Sequence, residues 1–134
     1  MGVAFRLRPD GTYFVRIHGP NGVRELRAVF DTASELCLIQ RSDAIELGYN
    51  AFYIPEVANL KTKLLTPHYL VKVPFITISK IEVGKLVVEN VLTAAQDLSN
   101  ELGVDFVMGR SLLGNYKLVY DFPRGIVELT EGSP

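Results

Sequence analysis

Residues 28–34 read Ala28-Val29-Phe30-Asp31-Thr32-Ala33-Ser34. This segment begins as an apolar run typical of a β-strand and ends in an aspartate, a threonine and two very small residues. A strand that carries a carboxylate into a tight turn suits a catalytic cleft lined by backbone, because small residues let a substrate main chain approach closely. The alternative is that Asp31 and Thr32 only begin a turn, since aspartate readily bonds its own backbone.

Length and composition predict one globular domain that spans residues 1–134. Of the 134 residues, 48% are hydrophobic, and no tract of low complexity interrupts them. A chain of this length can bury one hydrophobic core, whereas its apolar runs are far too short to span a bilayer. The net charge of −1 gives no electrostatic reason to expect a nucleic acid or an anionic membrane as a partner.

The few cysteines and histidines bear on redox state and metal binding. Cys37 is the sole cysteine, so an intrachain disulfide is excluded, and it lies in an apolar run as a small core residue rather than a nucleophile. A single cysteine and the absence of a signal-peptide pattern favour a cytoplasmic location. The histidines, His18 at an expected turn and His68, form no metal-ligand spacing, so we expect neither a metal nor another cofactor.

Alternating apolar and polar residues predict short strands along most of the chain. A strand over residues 23–30 should run antiparallel to one over residues 13–17 and lead directly into Asp31. The other expected strands cover residues 3–8, 36–39, 61–65, 70–78, 104–109, 117–122 and 126–130, with two more about Gly84 and Lys85 within residues 81–91. Many short strands, frequent turns and little helix indicate an all-β domain.

Two short helices are expected among these strands. Ser42 can cap a helix over residues 43–47 through its side-chain oxygen, and Gly48 can end that helix. Ser111 can cap a second helix that extends towards residue 116.

The order of these motifs resembles that of the retropepsin-like aspartic proteases, the single-domain relatives of pepsin that include the retroviral enzymes. Residues 31–34 are similar to the Asp-Thr-Gly-Ala/Ser loop of that family, and residues 106–113 resemble its hydrophobic–hydrophobic–Gly–Arg segment and short helix. A short helix over residues 44–48, a hairpin in the flap position and a closing hairpin that contains residues 120–122 follow the same order. The resemblance implies a pepsin-like closed barrel or sandwich of short strands with a flap hairpin and one or two short helices.

The resemblance also implies roles for the residues of the loop. Asp31 would be the catalytic aspartate, and Thr32 would use its hydroxyl to tie two catalytic loops together. The backbone at Ala33 would line the substrate cleft, where the family usually has glycine, and Ser34 would complete the loop. If this position requires a positive φ, alanine would cost about 1–2 kcal/mol.

Two further groups of residues are assigned by the same resemblance. Glu35 and Arg110 fall where retroviral enzymes place a supporting acid–arginine pair, so they are expected to meet. The flap tip that would contact substrate is Thr66, Pro67, His68 and Tyr69, which contains no glycine, although retroviral flaps are glycine-rich.

The number of aspartates in the right context determines the expected assembly. Hydrolysis of a peptide bond by two carboxylates requires one to accept a proton from water while the other donates one to the carbonyl oxygen. The chain contains one Asp-Thr-small triplet, and neither Asp105 nor Asp121 follows that pattern. The second catalytic Asp31 would therefore come from a second chain, which predicts a homodimeric endopeptidase that acts on peptides or proteins.

Two other functions remain open on the sequence alone. A protease-like domain that has lost useful activity could serve as a dimerisation or peptide-binding module, and Ala33 together with the glycine-free flap keeps that alternative. An unrelated β-barrel binding domain would leave the Asp31 and Gly109 motifs as coincidences.

Overall fold

A computed structural model describes residues 2–51, 73–98 and 103–131. Within these ranges the chain forms nine strands and two short helices, which confirms the all-β prediction. The elements are β1 Gly2–Arg6, β2 Tyr13–Gly19, β3 Gly22–Phe30, β4 Cys37–Gln40, α1 Arg41–Glu46, β5 Phe75–Val83, β6 Leu86–Gln96, β7 Phe106–Met108, α2 Arg110–Leu113, β8 Tyr116–Asp121 and β9 Ile126–Glu131. Neither helix is long and apolar enough to cross a membrane.

Six of the strands close into a barrel in the order β2-β3-β7-β4-β6-β5. The hairpins β2–β3 and β5–β6 are antiparallel, whereas β3 pairs with β7, and β4 with β6, in parallel. Closure depends on a short antiparallel match between β2 and β5, in which Ile17 faces Ile81. Parallel pairing places the carboxyl ends of β3 and β7 side by side, and the candidate site begins there.

The closing seam of the barrel carries a group of polar contacts on its outer side. Nε2 of His18 donates to a carboxylate oxygen of Glu82 at 2.5 Å, and the hydroxyl of Tyr49 donates to the backbone oxygen of His18. The hydrogen bond from His18 holds the pKa of the Glu82 carboxyl below its usual value. His18 therefore lies within β2 rather than at the turn, since β2 continues to Gly19.

The remaining strands form a separate three-stranded antiparallel sheet in the order β1-β9-β8. Its inner face contributes Phe5, Val127 and Leu129 to the main core. The ring of Phe5 lies 6.0 Å from that of Phe30, the last residue of β3. This packing joins the sheet to the strand that carries Asp31.

Two local predictions about helix caps are wrong. The N-cap residues are Gln40 for α1 and Gly109 for α2, and neither helix has a side-chain cap. Ser42 and Ser111 instead lie inside the first turn of their helices, because each helix begins two residues earlier than the cap pattern indicated. The prediction for the end of α1 is confirmed, since Gly48 adopts a φ of +95° that favours glycine.

The hairpin about Gly84 and Lys85 is confirmed, but its strands are longer than predicted. The run 70–78 was expected to form the second strand of the flap hairpin, and its described part from Phe75 onward belongs to β5, which extends to Val83. The pairing of Lys80 with Glu89 shows that β5 continues where a break between two strands, after residue 78, was predicted. The expected strand over residues 61–65 lies outside the described residues.

Candidate active site

Asp31 directly follows β3, at the point where β3 and β7 end together. Its backbone N–H donates to the backbone oxygen of Met108 at 3.0 Å, which extends the pairing of Phe30 with Met108 by one step. The side chain of Asp31 is exposed, as are those of Thr32 and Ala33. The carboxylate of Asp31 is therefore accessible to solvent, and the paired ends of β3 and β7 hold its backbone in place.

The loop after Asp31 is tightened by hydrogen bonds between near neighbours. The backbone N–H of Ala33 donates to Oδ1 of Asp31 at 3.0 Å, and that of Ser34 donates to the backbone oxygen of Asp31 at 3.2 Å. Oγ of Ser34 donates to the backbone oxygen of Leu36 at 2.6 Å. An aspartate that only begins a turn would make the first of these bonds too, so the case for a catalytic loop depends on its surroundings.

Ala33 fits this loop without the strain that a left-handed backbone would impose. In the described part of the chain, Asn90 alone among non-glycine residues has a positive φ. Ala33 therefore does not have the positive φ at which alanine would cost about 1–2 kcal/mol.

Gly109 lies directly against the chain that follows Asp31. A Cβ atom on Gly109 would lie 2.2 Å from the backbone oxygen of Leu36 and 2.8 Å from that of Ser34. Next to it, the backbone N–H of Arg110 donates to the oxygen of Ser34 at 2.8 Å. The start of α2 therefore packs against the backbone of the loop after Asp31. The close approach of Gly109 to Leu36 requires a residue without a side chain.

Ser111 joins three elements beneath the loop, a role that its interpretation as a helix cap missed. Its hydroxyl accepts a hydrogen bond from the backbone N–H of Cys37 at 2.8 Å and donates to the backbone oxygen of Leu92 at 2.7 Å. The two partners of this hydroxyl are 74 and 19 residues away in the sequence, so no local pattern identifies its role. Burial raises the pKa of the Cys37 thiol, which agrees with its assignment as a core residue.

The structure does not bring Glu35 and Arg110 together, and this prediction is wrong for the single chain. Both residues are exposed, and neither takes part in the ion pairs found among the described residues. The contact between the two segments is made by backbone instead, from Arg110 to Ser34. Two exposed charged side chains gain little by pairing, because water already solvates both.

Replacing Arg110 with alanine should consequently have little effect on stability. We expect the free energy of unfolding to change by no more than about 0.5 kcal/mol, as for other exposed substitutions, since the backbone N–H that supports Ser34 is retained. Thermal unfolding of the variant beside the parent checks this. A loss of about 3 kcal/mol or more would show that the guanidinium has a buried partner.

The assigned flap tip, Thr66, Pro67, His68 and Tyr69, lies outside the described residues. Within residues 2–51, 73–98 and 103–131, no cluster of three or more His, Cys, Asp or Glu side chains could hold a metal ion. The chemistry that the described site offers is that of a carboxylate in a loop of small residues.

Comparison with known proteins tests the resemblance to aspartic proteases. A family model described as aspartyl protease matches residues 15–115, a range that contains Asp31, β7 and α2. No curated protein matches the chain. Among solved structures, the fold is similar to the crystal structure of a retropepsin-like aspartic protease from Rickettsia conorii, with a TM-score of 0.61 and 20% identity over 96% of this chain and 90% of that one. The chain therefore belongs to the aspartyl protease family, on a retropepsin-like fold.

Proposed function

We propose that this protein is an aspartic endopeptidase whose active site combines Asp31 from two copies of the chain. The observation that carries the proposal is the position of Asp31, exposed at the end of β3 in a short loop and supported from below by Gly109. The family match covers the loop and its support together.

The proposed chemistry needs two carboxylates close to each other. One accepts a proton from the attacking water while the other donates a proton to the carbonyl oxygen of the scissile bond. Two adjacent aspartates hold one proton between them because both cannot ionise at once, and pepsin is the established example. Each chain supplies one aspartate in this context, so two copies related by a two-fold axis would complete one site.

The neighbours of Asp31 suit the binding of an extended peptide. Thr32 and Ala33 are exposed beside the carboxylate, and their small side chains leave their backbone accessible to a substrate main chain. In the proposed dimer, the hydroxyl of Thr32 would tie the two loops together across the axis. No cofactor takes part in this mechanism.

The second candidate, a protease-like module without useful activity, was kept open by the glycine-free flap, which lies outside the described residues, and by alanine in place of glycine at position 33. The argument from Ala33 is weakened, since its backbone is not left-handed. The two candidates differ in one measurable property, which is cleavage.

A cleavage assay on a mixed peptide library, with and without pepstatin, tests the proposed function. We expect cleavage that pepstatin inhibits and a metal chelator does not. The rate should follow a bell-shaped pH profile with its maximum at acid to mildly acidic pH, because the active dyad is singly protonated. Full activity with both carboxylates ionised, or inhibition by the chelator alone, would contradict the proposal.

A further inference from the structure

Two arginines lie against one exposed aromatic ring on the outside of the barrel. The guanidinium carbon of Arg8 lies 5.1 Å from the centroid of the Phe14 ring, and that of Arg27 lies 5.7 Å from it. Phe14 is 38% exposed and faces Arg27 across the β2–β3 hairpin. The ring therefore holds two positive charges near each other at the surface, and we call Arg8 and Arg27 the arginine pair.

The arginine pair is only partly neutralised within the chain. Among the described residues, Asp10 alone forms an ion pair with it, through Nη1 of Arg27 at 3.7 Å, which is too long for a hydrogen bond. The other carboxylate oxygen of Asp10 accepts from the backbone N–H of Thr12 at 3.0 Å and from its hydroxyl at 2.5 Å. Arg8 takes part in none of the ion pairs found within residues 2–51, 73–98 and 103–131. The pair can therefore still receive a carboxylate from outside the chain.

Arg27 lies on the same face of β3 as Asp31. Side chains alternate along a strand, and Ala28 points into the core, where it is fully buried. Arg27 and the half-buried Val29 consequently lie on the opposite face. The backbone bond from Asp31 to Met108 continues the strand pairing, so Asp31 belongs to that face as well. At about 3.3 Å per residue, four residues separate Arg27 from Asp31 by roughly 13 Å along the strand.

We propose that the arginine pair selects substrates that carry an acidic side chain about four residues from the scissile bond. The inference rests on the proposed function, because it names the substrate class of the same active site. A substrate that lies over Asp31 and runs along this face of β3 reaches the pair. An extended peptide rises by about the same 3.3 Å per residue as a strand, so the offset of four residues along β3 corresponds to about four residues of substrate.

The two-fold symmetry of the proposed dimer extends this selection to both sides of the scissile bond. Each copy carries one arginine pair at the same distance from its own Asp31, so the two pairs would lie on opposite sides of the dyad. An acidic residue on either side of the bond would thus be recognised.

A substrate carboxylate would interact with the arginine pair more favourably than a neutral side chain. Neighbouring guanidinium groups repel each other, and a carboxylate between them offsets that repulsion. A planar guanidinium can donate two parallel hydrogen bonds to one carboxylate, and stacking on Phe14 uses the face of the group rather than its N–H edge. The pair is partly exposed, so salt should weaken the attraction.

Matched peptides test this selection. A peptide that the parent cleaves is prepared with either glutamate or glutamine at each position from three to five residues away from the scissile bond. We expect kcat/KM for the best glutamate peptide to exceed that of its glutamine counterpart by about fivefold or more, mainly through KM. The ratio should fall towards one in about 0.5 M salt, because exposed charges are then screened.

Substitutions that remove one charge assign the preference to the arginine pair. Arg27→Gln and Arg8→Gln should each lower the glutamate-to-glutamine ratio of kcat/KM, whereas Arg27→Lys should retain a ratio above one. Arg16→Gln is the matched control, because it removes the same charge from the face of β2 that carries Phe14, but Arg16 is already paired with Glu82 at 3.3 Å. The control should keep the ratio of the parent.

Thermal unfolding shows whether each variant is folded, and Arg8→Gln keeps the test decisive if Arg27→Gln is not. Arg8 is exposed and lies outside the strands, so its replacement should leave the fold intact. Loss of the glutamate preference in a folded Arg8→Gln, with the preference kept in Arg16→Gln, supports the inference.

The opposite outcomes separate this inference from the proposed function. Pepstatin-sensitive cleavage of the glutamate and glutamine peptides at equal rates would show that the arginine pair does not select substrates, although the proposed function would stand. A glutamate preference that persists in both Arg8→Gln and Arg27→Gln would assign it to other residues and overturn the inference. Absence of any pepstatin-sensitive cleavage by the parent would overturn the proposed function and this inference with it.

Discussion

Replacing Asp31 with asparagine should abolish peptide cleavage while the fold and the proposed dimer persist. Asparagine keeps the shape of the side chain, and its oxygen can still accept the hydrogen bond from the N–H of Ala33 that Oδ1 of Asp31 accepts at 3.0 Å. The substitution removes the capacity to ionise and to exchange a proton, which is the chemistry that the dyad needs. Thermal unfolding and sedimentation should match the parent, and the cleavage rate should fall to background.

Mixing the parent with Asp31→Asn distinguishes a two-chain site from a one-chain site. When equal amounts exchange subunits freely, random pairing leaves about a quarter of the dimers with two aspartates, against about half without exchange. A dimer with one carboxylate lacks half of the acid–base machinery and should be nearly inactive. Activity per total protein should therefore fall with the square of the parent fraction.

Subunits labelled with two fluorophores provide the control for this experiment, since energy transfer between them reports that exchange is complete. A straight-line dependence of activity on the parent fraction, measured after complete exchange, would mean that each chain works alone. The two-chain active site would then be wrong, even though the chain belongs to the aspartyl protease family.

Much of the architecture was predictable because it depends on local patterns. Alternation of apolar and polar residues located β3, which ends at Phe30 directly before the aspartate. The same alternation, with turn residues between, located the hairpin of β8 and β9. A strand repeats every two residues, so a buried face is visible in the sequence without knowledge of its partner.

The missed features depend on contacts between distant segments. No local pattern shows that the hydroxyl of Ser111 bonds both Cys37 and Leu92, or that a serine before a helix lies inside it. The expected pair of Glu35 and Arg110 came from motif position, but whether two side chains meet depends on where each of them points. Here the backbone N–H of Arg110, rather than its guanidinium, makes the contact with the loop.

Gly109 is the position at which a single methyl group should have the largest structural effect. Its φ of −97° is open to any residue, so backbone strain is not the reason that glycine is needed. The reason is proximity, since an added Cβ would lie 2.2 Å from the oxygen and 2.6 Å from the carbon of the Leu36 carbonyl. Backbone atoms cannot rotate away as the end of a side chain can, so either α2 or the loop after Asp31 must shift.

We therefore expect Gly109→Ala to destabilise the protein by about 3 kcal/mol or more, at the upper end of the range for overpacking, which lowers Tm by roughly 10 °C. Gly2→Ala is the control, because the atoms nearest to its added Cβ belong to the side chains of Glu128 and Thr130, at 3.2 Å and beyond. Thermal unfolding of both variants measures the difference. The displaced loop should also reduce cleavage in Gly109→Ala at temperatures where the variant remains folded, since Ser34 and Leu36 hold the segment that follows Asp31. Equal Tm values for the two variants would show that the loop after Asp31 does not depend on the close contact between Gly109 and Leu36.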